Sequence, residues 1–252
     1  MNAIELRDIT KVYCKKNLFS TSRTTGVEGL NLTVGQGELF GLLGLNGSGK
    51  TTTIKLILNL LKPTQGSVSV MGGAPSAAAT LRQVGYLPES PYFYRYLTAR
   101  EILTLYGTLS HIPNIRAAVE RILDRVGLAA VHDKKLGEFS KGMLQRIGIA
   151  QTLLHDPAIL IYDEPVSGLD PLAMQEMRAL LLDLKRQGKT IFLSSHLISE
   201  VEKICDRVAI LAKGKLVRVM DQGQWAGTPG ELERVFVADV AASSEMGRIK
   251  LQ

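Results

Sequence analysis

The chain has 252 residues, of which 45% are hydrophobic and 21% charged, with a formal net charge of +6. That apolar share excludes a mainly disordered chain, and no apolar run approaches the roughly 18 residues of a membrane span. The two cysteines, Cys14 and Cys205, lie far apart, which excludes a disulfide framework or a cysteine metal motif.

Residues Met1–Lys11 carry Glu5, Arg7, Asp8 and Lys11 and lack the apolar core of a signal peptide, which predicts a soluble, cytoplasmic chain. Cys14 to Thr25 is polar and basic and reads as a loop. Val27–Val34 alternates in part and reads as a strand. Glu38–Gly44 is a short apolar run between glycines, the pattern of a buried strand. From Lys50 to Leu61 the apolar residues Ile54, Ile57, Leu58 and Leu61 fall at helical spacing, and Pro63 is expected to stop that helix. Val68–Met71 and Val84–Leu87 read as strands.

From about Tyr92 to Asp156 the pattern turns helical. Thr98 with Glu101 spells a capping box, and Ala117–Val126 and Lys141–Leu154 are further helices. Strand runs return at Ile159–Tyr162, Thr190–Leu193 and Val208–Leu211, with helical spacing over Pro171–Arg186. This alternation predicts an α/β fold with a mainly parallel sheet and a helical insertion over about residues 90–156. The tail, residues 221–252, is weakly patterned, and Glu231–Val237 is its best piece. The lysines and arginines are scattered, and residues 219–252 hold five acids against three bases. The basic balance therefore marks no nucleic-acid footprint.

Gly44, Leu45, Asn46, Gly47, Ser48, Gly49, Lys50 and Thr51 match G-x-x-x-x-G-K-[ST] in full, between the buried strand and a helix. The glycines let backbone N–H groups face inward. The helix start adds free N–H groups and a positive dipole end. Lys50 is suited to the β- and γ-phosphates and the Thr51 hydroxyl to Mg²⁺, so a nucleoside triphosphate is the expected ligand. Ile159–Tyr162 ends in Asp163 and Glu164, a carboxylate suited to the metal and one suited to poise a water. Ser194-Ser195-His196 follows another strand, at the sheet edge where ligands bind. Ser140 and Gly142 open a helix, where either a plain cap or an anion site fits.

Together these motifs resemble the nucleotide-binding domain of ATP-binding cassette (ABC) transporters, from about Ile4 to Val219. The resemblance implies an α/β P-loop NTPase core with an antiparallel β subdomain and a helical insertion. It implies one ABC ATPase domain over residues 1–220 and a short tail beyond. ATP and Mg²⁺ are the implied ligands, with Tyr13 stacking on adenine, Gly44–Thr51 and Thr52 holding the phosphates, and Thr51, Asp163 and Glu89 serving the metal. Glu164 is the implied catalytic carboxylate, His196 the switch histidine and Asp170 the end of the D-loop that begins at Ser167. Ser140, Lys141, Gly142 and Met143 correspond to the signature motif, which in the family contacts the γ-phosphate of a partner subunit's ATP. A head-to-tail pair of ATPase subunits, identical or different, and a separate integral membrane permease are the implied partners, with no nucleic acid. The implied place is the cytoplasmic face of the membrane.

Three positions depart from the family pattern. Glu89 stands where a glutamine is usual, Lys141 where a glycine is usual and Met143 where a glutamine is usual. Glu89 is still suited to water or Mg²⁺; Lys141 either adds a cation near the γ-phosphate or points to solvent. Leu87-Pro88-Glu89, Phe139–Met143 and the tail piece Glu231–Phe236 are similar to exporter subunits made as separate ATPase chains. Tyr92, Phe93, Tyr94 and Tyr96 form an aromatic cluster that either meets a membrane partner or packs the insertion onto the core. A soluble ABC ATPase outside transport is the rival reading. No Asn-Lys-x-Asp guanine reader occurs, which disfavours a GTPase.

Overall fold

The computed structural model describes residues 1–17 and 20–249, with side chains described for 1–14 and 22–243. It divides into two compact units, Met1–Leu81 with Thr190–Gln252, and Arg82–Lys189. The first unit opens with β1 (Asn2–Asn17), β2 (Ser20–Gly35), β3 (Leu39–Leu43), α1 (Lys50–Ile57), β4 (Gln65–Val70) and α2 (Ala78–Leu81). The second holds β5 (Val84–Leu87), α3 (Ala99–Leu109), α4 (Ile115–Arg125), α5 (Lys141–Leu153), β6 (Ile159–Asp163) and α6 (Pro171–Arg186). The chain then returns to the first with β7 (Thr190–Ser195), α7 (Ile198–Val201), β8 (Arg207–Ala212), β9 (Lys215–Asp221) and α8 (Glu231–Ile249).

The first unit carries two kinds of sheet. In the antiparallel one, β1 lies between β2 and β4, and Ile4 faces Val34 on one side and Val70 on the other. Leu30, Leu32 and Val34 are buried at period two, which fixes the register of β2 by one apolar face. In the other, β3 runs parallel to both β7 and β8, and β9 closes β8 antiparallel. All five residues of β3 are buried, because an interior strand of such a sheet is covered on both faces. Phe40 and Phe192, register partners on β3 and β7, stack with centroids 5.8 Å apart.

In the second unit β5 and β6 pair in parallel, from Val84 opposite Ile159 to Leu87 opposite Tyr162. Helices α3, α4 and α5 pack together around buried Ile102, Leu103, Val119, Leu123 and Ile147. The capping box at the start of α3 is formed: Thr98 Oγ1 accepts from the Glu101 N–H at 3.2 Å, and Glu101 Oε2 accepts from the Thr98 N–H at 2.8 Å.

Three expectations are corrected. Cys14–Thr25 is not a loop: β1 and β2 form a ribbon whose ladder runs from Tyr13 opposite Thr24 to Asn17 opposite Ser20, with Leu18 and Phe19 outside the described residues. Its polar sequence hides a strand held in register by backbone pairing. Helix α1 ends at Ile57, before Pro63, because Asn59 takes a left-handed φ of 55° and the Leu60 and Leu61 N–H groups both turn back to Lys55 O. The tail helix α8 is longer than Glu231–Val237, with Leu232 and Phe236 buried and Asp239 accepting two bonds from Arg218 of β9, at 2.6 and 2.9 Å.

Candidate functional site

In the first unit β3 delivers the chain at Leu43 straight into the glycine-rich loop. Gly49 has a φ of 111°, and a Cβ there would lie 2.6 Å from Gly26 O, so only glycine fits. α1 starts at the next residue, so the positive end of its dipole faces the loop. Lys50 is 6% exposed, and its Nζ donates to Gly44 O at 2.7 Å and more weakly to Leu45 O at 3.4 Å. The Ser48 Oγ is buried with no hydrogen-bond partner among the described residues. A buried ammonium, a buried unsatisfied hydroxyl and a helix start in one loop suit a phosphate chain.

Tyr13 stands beside this loop. Its hydroxyl and the Thr52 Oγ1 lie 3.1 Å apart in a hydrogen bond, and Lys11 Nζ sits 5.7 Å from the ring centroid. Gly26 makes room for the ring: a Cβ there would lie 2.7 Å from Tyr13 Cε2 and 3.0 Å from Thr52 Cγ2. The ring remains partly exposed, as a stacking surface must. His196 follows β7, whose Ser195 pairs with Leu43 of β3, so the histidine and Gly44 leave neighbouring strand ends. It is exposed.

In the second unit Asp163 ends β6 and is 3% exposed, and Glu164 follows at 6%. Glu164 has a φ of 53°, a left-handed backbone in a residue that is not glycine. Such strain costs about 1–2 kcal/mol and collects at functional positions. Glu89, exposed, follows β5 at the same end of the strand pair, two residues beyond Leu87, the partner of Tyr162. The Tyr86 hydroxyl is pushed up to about 12, by burial first and by the Asp163 carboxylate second.

Ser140 caps α5, its Oγ accepting from the Met143 N–H at 3.2 Å, and Asp170 caps α6, its Oδ1 accepting from the Ala173 N–H at 2.9 Å. A Cβ on Gly142 would lie 3.2 Å from Ala173 Cβ, so the two helix starts touch. Of the aromatic cluster, Phe93 is buried at 5%, while Tyr92, Tyr94 and Tyr96 are 86%, 48% and 68% exposed.

The second unit thus gathers Asp163, Glu164 and Glu89 at one strand edge, and Ser140–Met143 beside Asp170 at another place. Among the described residues no group of three or more His, Cys, Asp or Glu side chains is placed to hold a metal. Mg²⁺ takes few protein ligands and completes its shell with phosphate and water, and the Asp163 and Glu89 carboxylates of this unit, like the Thr51 hydroxyl of the first, are each oxygen donors of the type it takes. Sequence reasoning missed Gly26 and Lys11 around Tyr13, since both depend on cross-strand neighbours, and it missed the backbone strain at Glu164.

The family model described as ABC transporter matches residues 27–167, more than half of the chain. An uncharacterized ABC transporter ATP-binding protein of Nostoc sp. is 48% identical over 83% of this chain and 64% of its own length. The bacitracin transport ATP-binding protein BcrA of Bacillus licheniformis is 43% identical over 85% of this chain and 68% of its own length. The chain therefore spans a little under two thirds of the length of the Nostoc relative. A solved ATP-binding subunit of an ABC transporter superposes with a TM-score of 0.77 at 30% identity, over 94% of this chain and 99% of that one. A dimeric ATP-binding cassette in a post-hydrolysis state, bound to ADP and Pi, gives a TM-score of 0.78 at 25% identity, over 87% and 98%. The glycine-rich loop on a buried parallel strand, the strained carboxylate after β6 and these likenesses agree: the chain belongs to the ABC transporter family, as an ATP-binding subunit.

Proposed function

We propose that this chain hydrolyses ATP and drives export through a separate membrane permease. The observation that carries the reading is Glu164: a buried carboxylate held in a strained backbone directly after Asp163. In the proposed reaction a water attacks the γ-phosphorus, the bond to the β,γ-bridging oxygen breaks, ADP leaves, and Glu164 takes the water's proton. Lys50 and the loop amides carry the phosphate charge, with Thr52 beside them and Tyr13 under the base. Mg²⁺, held by Thr51, Asp163 and Glu89, supplies charge neutralisation on the phosphates. His196 orients the γ-phosphate.

A second copy or a related subunit completes each site in this reading. Its Ser140, Gly142 and Met143 face the bound ATP, with Lys141 turned aside onto Gly168, and its Asp170 loop lies beside them. Two ATP molecules close the pair, and hydrolysis reopens it. The exposed Tyr92, Tyr94 and Tyr96 support a permease contact over internal packing, since aromatics this exposed serve as interface anchors. Likeness to the bacitracin transport protein supports transport, and the exporter-like Leu87-Pro88-Glu89 supports the outward direction. No helix among the described residues is long and apolar enough to cross a membrane, so the membrane path is assigned to the permease. The subunit then works at the cytoplasmic face.

The test is Glu164→Gln. It is expected to bind ATP, hydrolyse it at least about 100-fold more slowly and accumulate as a dimer with ATP and Mg²⁺. Sedimentation velocity showing only monomer under those conditions refutes the paired site. Phosphate release at the wild-type rate refutes the role of Glu164.

A further inference from the structure

Lys141 is exposed and has no charge partner among the described residues. It is the first residue of α5, after the cap Ser140. A lysine there sits at the positive end of the helix, where a cation is disfavoured. Among the described residues it makes no hydrogen bond and no ion pair. Local helix physics therefore gives no reason for the side chain to settle in one place.

Its contact supplies the reason. The side chain runs along Gly168: a Cβ on that glycine would lie 3.8 Å from Lys141 Cδ and 3.5 Å from Cε, and would collide with Nζ. Gly168 has a φ of 66°, so a side chain there is disfavoured twice, by the backbone and by Lys141. Next along, Gly142 leaves room for Ala173 at 3.2 Å and Leu169 at 3.9 Å. The start of α5 is thus laid against the segment from Gly168 to Ala173, with Lys141 as its outermost support.

We propose that Lys141 is a positioning residue: its side chain braces the loop Ser167–Asp170 through Gly168, so that this loop and the start of α5 hold one arrangement during hydrolysis. The effect rests on the ATPase reading above. The support comes from the length of the side chain against the glycine, not from its charge. Hydrolysis suffers when it is lost, because reacting groups held by the loop shift, while nucleotide affinity at the glycine-rich loop stays.

The experiment compares Lys141→Ala, Lys141→Met and Lys141→Arg in the full chain. Two readouts are taken: hydrogen exchange of the amides in Glu164–Asp170 without nucleotide, and kcat with the ATP dissociation constant. Lys141→Ala is expected to speed exchange in that segment and to lower kcat about tenfold, with the dissociation constant changed less than about twofold. Lys141→Met, of similar length and uncharged, is expected to restore both. If Met behaves like Ala while Arg behaves like the wild type, the ammonium acts by charge and the brace is overturned. If Ala leaves exchange and kcat unchanged, the side chain supports nothing and the proposal falls. Should the wild type hydrolyse no ATP, the ATPase reading fails, and the exchange of Ala against Met still decides the brace.

Discussion

Gly26→Ala tests the base side of the nucleotide site without replacing Lys50 or any residue of the glycine-rich loop. The new methyl carbon would lie 2.7 Å from Tyr13 Cε2 and 3.0 Å from Thr52 Cγ2. Carbon atoms rest about 3.5–4.0 Å apart, so the Tyr13 ring must retreat by about 1 Å. The ring is 37% exposed and turns outward cheaply, so the fold itself is spared. The retreat breaks the 3.1 Å bond between Tyr13 and Thr52, worth about 1 kcal/mol, and moves the surface on which adenine is to stack. Stacking of a base on an aromatic is worth about 1–3 kcal/mol, which converts to a dissociation constant for ATP about 5- to 150-fold higher. Calorimetric titration with ATP and with inorganic tripolyphosphate separates the contributions. ATP binding is expected to weaken and tripolyphosphate binding to hold. Equal weakening of both, or none for ATP, refutes the role assigned to Tyr13 and its glycine.

Lys50→Ala removes a charge-assisted bond worth about 1.5–3 kcal/mol, so ATP binding is expected to fall about 10- to 150-fold; turnover at the wild-type rate sinks the site. Asp170→Ala deletes the cap of α6 at a cost of about 1 kcal/mol, read as a fall of about 2–4 °C in calorimetric Tm. An unchanged Tm would mean that Pro171 at the first helical position holds that end alone. Burial raises the hydroxyls of both Tyr86 and Tyr162 above the ordinary tyrosine value of 10. The unfolded chain then loses these protons at lower pH than the folded one, so stability is full below pH 10 and declines as pH climbs from 10 toward 12. Denaturant unfolding at pH 9, 10 and 11 checks the slope, and a flat profile in the wild type contradicts it.

The glycine-rich loop was legible because a complete spacing motif lay between two strong periodic signals, the apolar run ending at Leu43 and the helix of Ile54 and Ile57. Asp163 and Glu164 were legible for the same reason, at the end of Ile159–Tyr162. The ribbon at Cys14–Thr25 was not, since its polar, basic sequence carries no apolar alternation to read. The end of α1 was misread because Pro63 is a strong stop signal, while the Asn59 turn that ends the helix first is weak in sequence. The tail helix hid behind small residues, although Leu232, Phe236 and Val240 stand four apart along one face. The contacts of Lys141 with Gly168 and of Gly26 with Tyr13 depend on tertiary neighbours, and no local pattern carries them.

The glycine-rich loop is joined to β2 and to the β8–β9 turn by backbone alone. Gly49 and Gly214 both crowd Gly26 O, where Cβ atoms would lie at 2.6 and 2.9 Å. Gly214 N donates to Ser48 O at 2.8 Å, and Glu28 N donates to Gly214 O at 2.8 Å. Three segments far apart in sequence meet there, and at Gly49 and Gly214 no side chain can stand. A saturation library would therefore show intolerance at residues 49 and 214 together, and no second-site side chain would rescue either. Homologues would carry no compensating pairs there either: the junction would be recorded as two silent invariants, although it ties the loop to the antiparallel sheet and to the β8–β9 turn.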